Sequence, residues 1–285
     1  MRFGDFPPQF TDYDQARIVL LPVPFEKTCS WLPGTAQGPS AILQASPYLE
    51  WYDIETGVEV YREGIFTAPA VLADTSEEMV EKVYRQVEHY AQEGKFVVTL
   101  GGEHAVSYPA VKALVEKQPS LSVLQLDAHG DTRDAYEGSK LSHACVMARI
   151  REQVSNVVVV GIRSIDASEM PILDTPKTFF AHRIHDSADW IDRAVDELND
   201  PVYVTIDIDV FDPSEVPATG TPEPGGLRWW QVMGLLHRVA QKRKVIGFDL
   251  VELSAGHKPS EFLGAKLVYT FLSHLHKHHS WEWAS

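Results

Sequence analysis

Leu121-Ser122-Val123-Leu124-Gln125-Leu126 runs directly into Asp127-Ala128-His129-Gly130-Asp131, and this stretch decides the fold. A short apolar run ending on carboxylates and an imidazole reads as a buried strand whose carboxyl end faces a polar site. Asp127, His129 and Asp131 are spaced by two, so an extended chain points all three the same way. The pattern recurs twice. Residues 96–100 exit through Gly101-Gly102-Glu103 to His104, where glycines allow a tight turn, and residues 202–206 run into Asp207-Ile208-Asp209. Ligands of open α/β sheets bind beyond the carboxyl ends of the strands, so the three motifs are expected at one sheet edge.

Further apolar runs at residues 18–23, 157–161, 179–182 and 245–250 read as strands, several of them apolar on both faces as in a covered parallel sheet. Amphipathic helices are expected at residues 39–45, 107–117, 144–153, 188–198, 229–242 and 261–276. Another follows Thr75-Ser76-Glu77-Glu78, which reads as a capping box. Met79, Val83, Val87 and Tyr90 share its apolar face, and Gly94 ends it. The alternation predicts an α/β protein, a three-layer α/β/α sandwich on a mostly parallel β-sheet, with residues 1–285 as a single domain. The Pro/Gly-rich residues 217–226 follow a motif strand and read as an active-site loop.

The chain has 285 residues and 44% hydrophobic content, ample for a sizeable core. Lys plus Arg is 25 and Asp plus Glu is 40, a formal net charge of −15. That excludes nucleic acid and anionic membranes as expected partners and is compatible with a cationic substrate. The two cysteines, Cys29 and Cys145, make no disulfide framework, so a reduced, cytoplasmic setting is expected. Residues 1–8 hold no apolar leader, and no run is long enough to span a bilayer.

Four aspartates and two histidines converging at one edge form a set suited to two divalent metals. Four carboxylates carry −4 and two divalent ions +4; without cations such crowding drives protonation. Oxygen-rich sites with some imidazole suit Mn²⁺, with Zn²⁺, Co²⁺, Ni²⁺ and Fe²⁺ as alternatives. Two ions about 3.5–4 Å apart can share a water and lower its pKa. The leading expectation is a metallohydrolase. Glu103 and Asp212 are read as turn or cap residues.

With these motifs in place, the chain resembles the ureohydrolase superfamily of arginases and agmatinases. The likeness starts near Pro33-Gly34 with Gly38-Pro39. It includes Gly101-Gly102-Glu103-His104, Asp127 to Asp131, His143, Asp207 to Pro213, the loop from Pro217 to Leu227, and Gly247-Phe248-Asp249-Leu250-Val251-Glu252. The resemblance implies an α/β/α fold, commonly assembled as homo-oligomeric trimers or hexamers, and a two-manganese site. His104, Asp127, Asp131 and Asp207 would hold one ion; His129, Asp127, Asp207 and Asp209 the other. By the same likeness His143 is the mobile acid/base histidine, Glu252 the guanidinium-binding glutamate, and Thr221 a residue facing the substrate.

The chemistry fits these types: a carboxylate pairs with a planar guanidinium, and an imidazole can hand a proton to the leaving amine. Ala144 and Ala105 stand where relatives of the superfamily carry glycine and serine, and neither removes a ligand. The segment from Arg133 to His143 is similar to compact agmatinases and lacks the residues with which arginases grip an amino acid. The expectation is therefore manganese-dependent hydrolysis of agmatine to putrescine and urea by a metal-bridging hydroxide. The alternatives are the same reaction on guanidinobutyrate, aminopropyl-agmatine, arginine or formiminoglutamate, a two-metal phosphohydrolase, or a non-catalytic member.

Other features are weighed as follows. Asp134, Tyr136 and Glu137 are read as solvated loop residues, the alternative being contact with a distal ammonium. Arg163 leaves a strand end toward the same edge, where it lines the pocket or pairs with a carboxylate. His274, His276, His278 and His279 read as a polar helix end, although His274 and His278 lie one turn apart. His182 and His185 are taken as structural. Trp229 and Trp230 begin a helix and serve packing or a subunit contact. Cys145 has no marked partner and is not a nucleophile. No phosphate-binding loop for nucleotides is present.

Overall fold

The computed structural model describes residues 1–173, 175–185, 187 and 189–279. Among the described residues eight strands form one sheet: β1 (Ile18–Val23), β2 (Ile65–Thr67), β3 (Phe96–Gly101), β4 (Ser122–Leu126), β5 (Asn156–Val160), β6 (Thr178–Phe179), β7 (Val202–Asp207) and β8 (Val245–Val251). Their order is β2-β1-β3-β8-β7-β4-β5-β6, and every pair is parallel.

Successive strand residues feed opposite faces, so the sheet has a core on each side. On one face Ile18, Leu20, Val98, Leu124, Val158, Val204 and Phe248 pack against α1 (Gly38–Ala45), α7 (Trp190–Asp196), α8 (Trp229–Lys242) and α9 (Lys258–His278). On the other, Val19, Leu21, Val97, Val123, Val157 and Tyr203 pack against α2 (Ser76–Gln92), α3 (Ser107–Val115) and α4 (Val146–Arg151). This is the expected three-layer α/β/α sandwich. Truncating a fully buried strand residue such as Val204 or Leu250 removes its own packing contacts and leaves a cavity in that core; large-to-small changes of this kind cost roughly 2–5 kcal/mol for Leu.

Local readings hold with shifts. Thr75 accepts from the Glu78 N–H, but Glu78 reaches back to the N–H of Asp74 and not to that of Thr75. The run 179–182 is not a strand: pairing stops at Phe179, and Ala181–Ile184 is a short helix, α6. Phe179 and Phe180 point into opposite cores, which gives the run its apolar character without a strand. Met170–Leu173 adds a short helix, α5. The helix expected from residue 144 begins as a 3-10 turn, His143–Cys145, before α4. The helix expected from residue 261 starts earlier, because His257 caps it through the Ser260 N–H and Pro259 fits its first turn. The expected start of the helix 188–198, Ala188, lies outside the described residues. No helix among the described residues is long and apolar enough to cross a membrane.

Candidate metal centre

The central strands β3, β8, β7 and β4 place the site. Leu100, Leu250, Ile206 and Leu126 stand in register across them, so Gly101, Val251, Asp207 and Asp127 leave the sheet at one level. Chain order changes direction here, at β7 and β8 between β3 and β4, the position where open sheets bind ligands. A Cβ on Gly102 would collide with the carbonyl oxygen of Phe25, so glycine alone permits the exit that carries His104. The chain stays extended to His129, which bridges Ser164 in parallel. It does not stay extended to Asp131, whose φ of 52° turns the backbone. Glu252 also has a positive φ, 63°; a left-handed Glu at a strand end is uncommon and marks a backbone held by its surroundings.

The six expected ligands come together. His104 Nδ1 lies 3.1 Å from Asp131 Oδ2, 3.3 Å from Asp127 Oδ2 and 3.4 Å from Asp207 Oδ2. It is buried and has no hydrogen-bond partner. Its other nitrogen, Nε2, sits 2.9 Å from Thr205 Oγ1, whose hydroxyl donates to Asp249 Oδ1 at 2.7 Å. That relay puts the ring hydrogen on Nε2 and leaves a bare Nδ1 facing three carboxylates, the arrangement a cation requires. His129 Nδ1 lies 2.8 Å from Asp209 Oδ2 and 3.8 Å from Asp127 Oδ1. Two groups have ligand atoms close enough to hold an ion: His104, Asp127 and Asp207, and Asp127, His129 and Asp209. Asp127 belongs to both.

Neighbours steady the carboxylates. Asp127 accepts from the His129 N–H at 2.6 Å and Gln125 Nε2 at 2.8 Å; Asp209 accepts from the Ala128 N–H at 2.9 Å; Asp207 accepts from the Asp209 N–H at 2.9 Å. Burial and the neighbouring Asp131 and Asp209 push the Asp127 carboxyl up to about 6. Burial and Asp209 raise Asp207 as well. Burial also works against Asp209, yet the adjacent His129 holds it at about 2. His104 and His129 would be lowered by burial, but the surrounding carboxylates raise both, His129 to about 11. Protons thus collect where the negative charge exceeds what the protein compensates, which is where divalent cations fit.

The ligands His129, Asp131, Asp207 and Asp209 floor a cavity of about 300 Å³. Its walls carry Glu252, His143 and Thr221, the three residues expected to meet substrate, together with Tyr136, Arg133, Asp166, Glu169 and Trp31. Burial raises the Glu252 carboxyl to about 8. Tyr136 packs edge-on against His143, rings 5.8 Å apart. Asp134 and Glu137 are exposed, Asp134 pairing with Arg149 and Lys140, so the solvated reading holds for these two.

Arg163 is resolved by its contacts. Its guanidinium donates to the carbonyls of Asp209 (2.6 Å), Glu223 (2.8 Å), Phe211 (3.2 Å) and Gly161 (3.3 Å). It holds the Asp209 turn from behind and does not line the cavity. Asp212 is a turn organiser as expected, accepting from Ser214, Gly225 and Gly226. Glu103 sits at the N-cap position of the 3-10 turn His104–Val106, but its side chain does not cap it. Its buried carboxylate accepts from the N–H groups of Lys27 (2.7 Å) and Thr28 (2.8 Å) and from Thr28 Oγ1 (2.9 Å). The loop after β1 was not singled out in the sequence, although its place at the carboxyl edge was a signal. It brings Thr28 and Ser30 to His143. Among the described residues the C-terminal histidines form no group of three with ligand atoms close enough for an ion; the polar-helix-end reading fails for His274, which is buried and stacks on His237 with rings 4.4 Å apart, while His276 faces Glu63.

A parallel α/β sheet with a His/Asp cluster of two-ion character at its carboxyl edge defines a metal-dependent hydrolase of the three-layer class. The chain belongs to the arginase family, whose model it matches over residues 16–273, and is a ureohydrolase of that family. It is 38% identical to N(1)-aminopropylagmatine ureohydrolase of Synechocystis sp., over 96% of this chain and 95% of that one. It is 36% identical to agmatinase of Pyrococcus horikoshii, over 90% and 92%. The crystal structure of agmatine ureohydrolase of Thermoplasma volcanium superimposes with a TM-score of 0.86 at 30% identity, covering 94% of this chain and 93% of that one.

Proposed function

We propose that this protein hydrolyses the guanidinium group of a linear alkylguanidine with a cationic tail, agmatine or its N1-aminopropyl derivative, releasing urea with two Mn²⁺ ions bound. The observation that carries this reading is the cavity wall. Six carboxylates line it, from Asp131, Asp166, Glu169, Asp207, Asp209 and Glu252. Arg133 is the one Lys or Arg among the described lining residues, and it already faces Asp166 (3.8 Å) and Glu169 (3.9 Å). With bound ions balancing Asp131, Asp207 and Asp209, the carboxyl groups of Asp166, Glu169 and Glu252 still outnumber Arg133, which favours a cation and disfavours the carboxylate tails of arginine, guanidinobutyrate and formiminoglutamate, as well as phosphate esters. Arg163 is turned away from the cavity and offers no cation to a carboxylate tail there. The aminopropyl derivative stands beside agmatine because relatives named for each cover nearly the whole chain.

His104, Asp127, Asp131 and Asp207 would hold one ion, and His129, Asp127, Asp207 and Asp209 the other. Bound there, the ions supply a water acidic enough to attack at neutral pH. Glu252 pairs with the planar guanidinium and holds its carbon over the floor. His143 gives the leaving amine its proton. Thr221 faces the substrate from the opposite loop.

The test is urea release by Mn²⁺-loaded protein on agmatine, N1-aminopropylagmatine, arginine and guanidinobutyrate. We expect kcat/KM on one of the first two to exceed that on the last two by about 100-fold or more, the scale of charge recognition at a buried site. Preference for arginine or guanidinobutyrate, or no urea from any of the four with two ions bound, would refute the reading.

A further inference from the structure

We propose that Thr28 is a positioning residue for His143: its hydroxyl fixes the imidazole as the Nδ1–H tautomer and leaves the Nε2 lone pair free to exchange protons at the cavity. The proposal rests on the reading of His143 as the group that moves a proton there.

The argument is a count of donors. A hydroxyl has one hydrogen and two acceptor positions. The hydrogen of Thr28 goes to Glu103 Oε1 at 2.9 Å. The other oxygen of Glu103 already accepts two backbone N–H groups, from Lys27 and Thr28; burial works to raise this carboxyl, and the three donors it holds favour its ionised, accepting form. With its hydrogen committed, Thr28 Oγ1 can only accept. It accepts the backbone N–H of His143 at 3.0 Å and faces His143 Nδ1 at 3.0 Å. Nδ1 must then carry the ring hydrogen.

The remaining contacts agree. Ser142 Oγ lies farther from Nδ1, at 3.3 Å, and its hydroxyl can turn to accept. On the other side, Ser30 Oγ lies 3.0 Å from Nε2 and 3.3 Å from Tyr136 Oη, at an exposed position. Ser30 has one hydrogen, which can go to the bare Nε2 when the Tyr136 hydroxyl turns to donate to Ser30 Oγ, and a substrate nitrogen can take its place. The frame behind Thr28 is stiff. The Glu103 N–H donates to Phe25 O at 2.8 Å and the Gly102 N–H to Val23 O at 2.9 Å. The loop after β1 is thus tied to the loop after β3, which carries His104. The proton-handling ring and the ion-binding edge therefore share one backbone support, with Thr28 as the link between them.

Thr28→Val keeps the shape and removes the hydroxyl, and Thr28→Ser keeps the hydroxyl. The tautomer is read from ring nitrogen shifts of [¹⁵N]histidine-labelled protein loaded with diamagnetic Zn²⁺, the His143 signals being identified by their loss in His143→Ala. We expect hydrogen on Nδ1 in the wild type and a shift of hydrogen to Nε2 in Thr28→Val. Turnover by the Mn²⁺ form of Thr28→Val should fall about 100-fold or more, the scale on which acid–base catalysis contributes. Its KM should stay within about threefold and both ions should be retained, because Thr28 touches neither ligand nor cavity floor. Thr28→Ser should return to within about tenfold of wild type. Hydrogen on Nε2 in the wild type would overturn the proposal. So would undiminished turnover in Thr28→Val, or a Thr28→Ser as slow as Thr28→Val. If no guanidine is a substrate, the functional reading fails, yet the wild-type nitrogen shifts still decide the tautomer.

Discussion

The backbone N–H of His104 donates to Glu252 Oε1 at 2.7 Å, and the backbone N–H of Glu252 donates to Gly102 O at 2.8 Å. The exits of β3 and β8 are therefore locked to each other, and the residue proposed to grip the guanidinium is placed by the same turn that places a metal ligand. One carboxylate oxygen of Glu252 is used in this lock; the other has no protein donor among the described residues and remains for substrate. Glu252→Gln should keep the lock, because the amide oxygen can still accept from His104. It would present a neutral amide to a cation in place of a carboxylate. We expect kcat/KM to fall by about 100-fold or more, since the remaining oxygen would lose its charge-assisted hydrogen bonding to the guanidinium, worth roughly twice the neutral kind. Ion content should be unchanged. Loss of metal together with activity would show that Glu252 serves the ions instead.

Asp127 belongs to both ion-binding groups, so Asp127→Asn is expected to strip both. Metal analysis after gel filtration should give about two ions per wild-type chain and well under one for the variant, with urea release at background. A subtler variant tests the buried relay behind His104. Thr205→Val leaves every ligand in place but removes the acceptor of the Nε2 hydrogen, and loss of such outer partners costs about 10–100-fold in metal affinity. An affinity unchanged in Thr205→Val would show that Thr205 and Asp249 do not orient the ring.

Much of this site was legible because its residues are rare in type at strand ends. Asp127, His129, Asp207 and Asp209 follow runs that are buried on both faces, and nothing in a covered strand calls for such side chains unless something outside it does. Thr28 gave no such sign. A threonine after β1 has no distinctive chemistry; its role arises from the pairing of β1 with β3, where Val23 stands opposite Gly101, a relation no local pattern carries. The same limit explains β2. Ile65–Thr67 is three residues at the sheet edge, too short for periodicity to register. Arg163 leaves a strand end toward the site, where an arginine is expected to line the pocket or pair with a carboxylate, but its side chain turns back to satisfy carbonyls of the Asp209 turn.

That turn supplies a further prediction. Arg163 donates to the carbonyls of Asp209, Phe211 and Glu223, which lie on two loops bounding the cavity. Arg163→Met should leave these acceptors without their charged donor and cost about 3 kcal/mol of stability, on the scale of one or two hydrogen bonds to a charged group. Turnover should fall as Asp209 loosens, and it should fall equally on every substrate of the panel. A selective loss on guanidinobutyrate, with the melting temperature unchanged, would return Arg163 to the substrate.

A last prediction concerns acid stability, away from the metal edge. His274 is 1% exposed, and neither ring nitrogen has a hydrogen-bond partner. Its ring stacks on His237 of α8, and His278, one turn further along α9, also stacks on His237, rings 5.6 Å apart. Burial first, and then the neighbouring His237, hold His274 down at about 4, while Asp53 pulls the other way and His278 and Lys277 add to the lowering. Glu55 Oε2 is 3.8 Å from Nε2, too far to hydrogen-bond. A histidine lowered in this way is neutral in the fold and protonates first in the unfolded chain. Stability should therefore begin to fall as pH drops below about 6.5 and should stop falling on this account below about 4. The full loss is about 3 kcal/mol at 1.36 kcal/mol per pKa unit. His274→Leu removes the titrating ring and fills an apolar site. Urea-unfolding midpoints of both proteins, taken with chelator present between pH 7 and 4, should diverge as pH falls, the variant keeping the stability that the wild type loses. Parallel curves would show that His274 is protonated as readily in the fold as outside it.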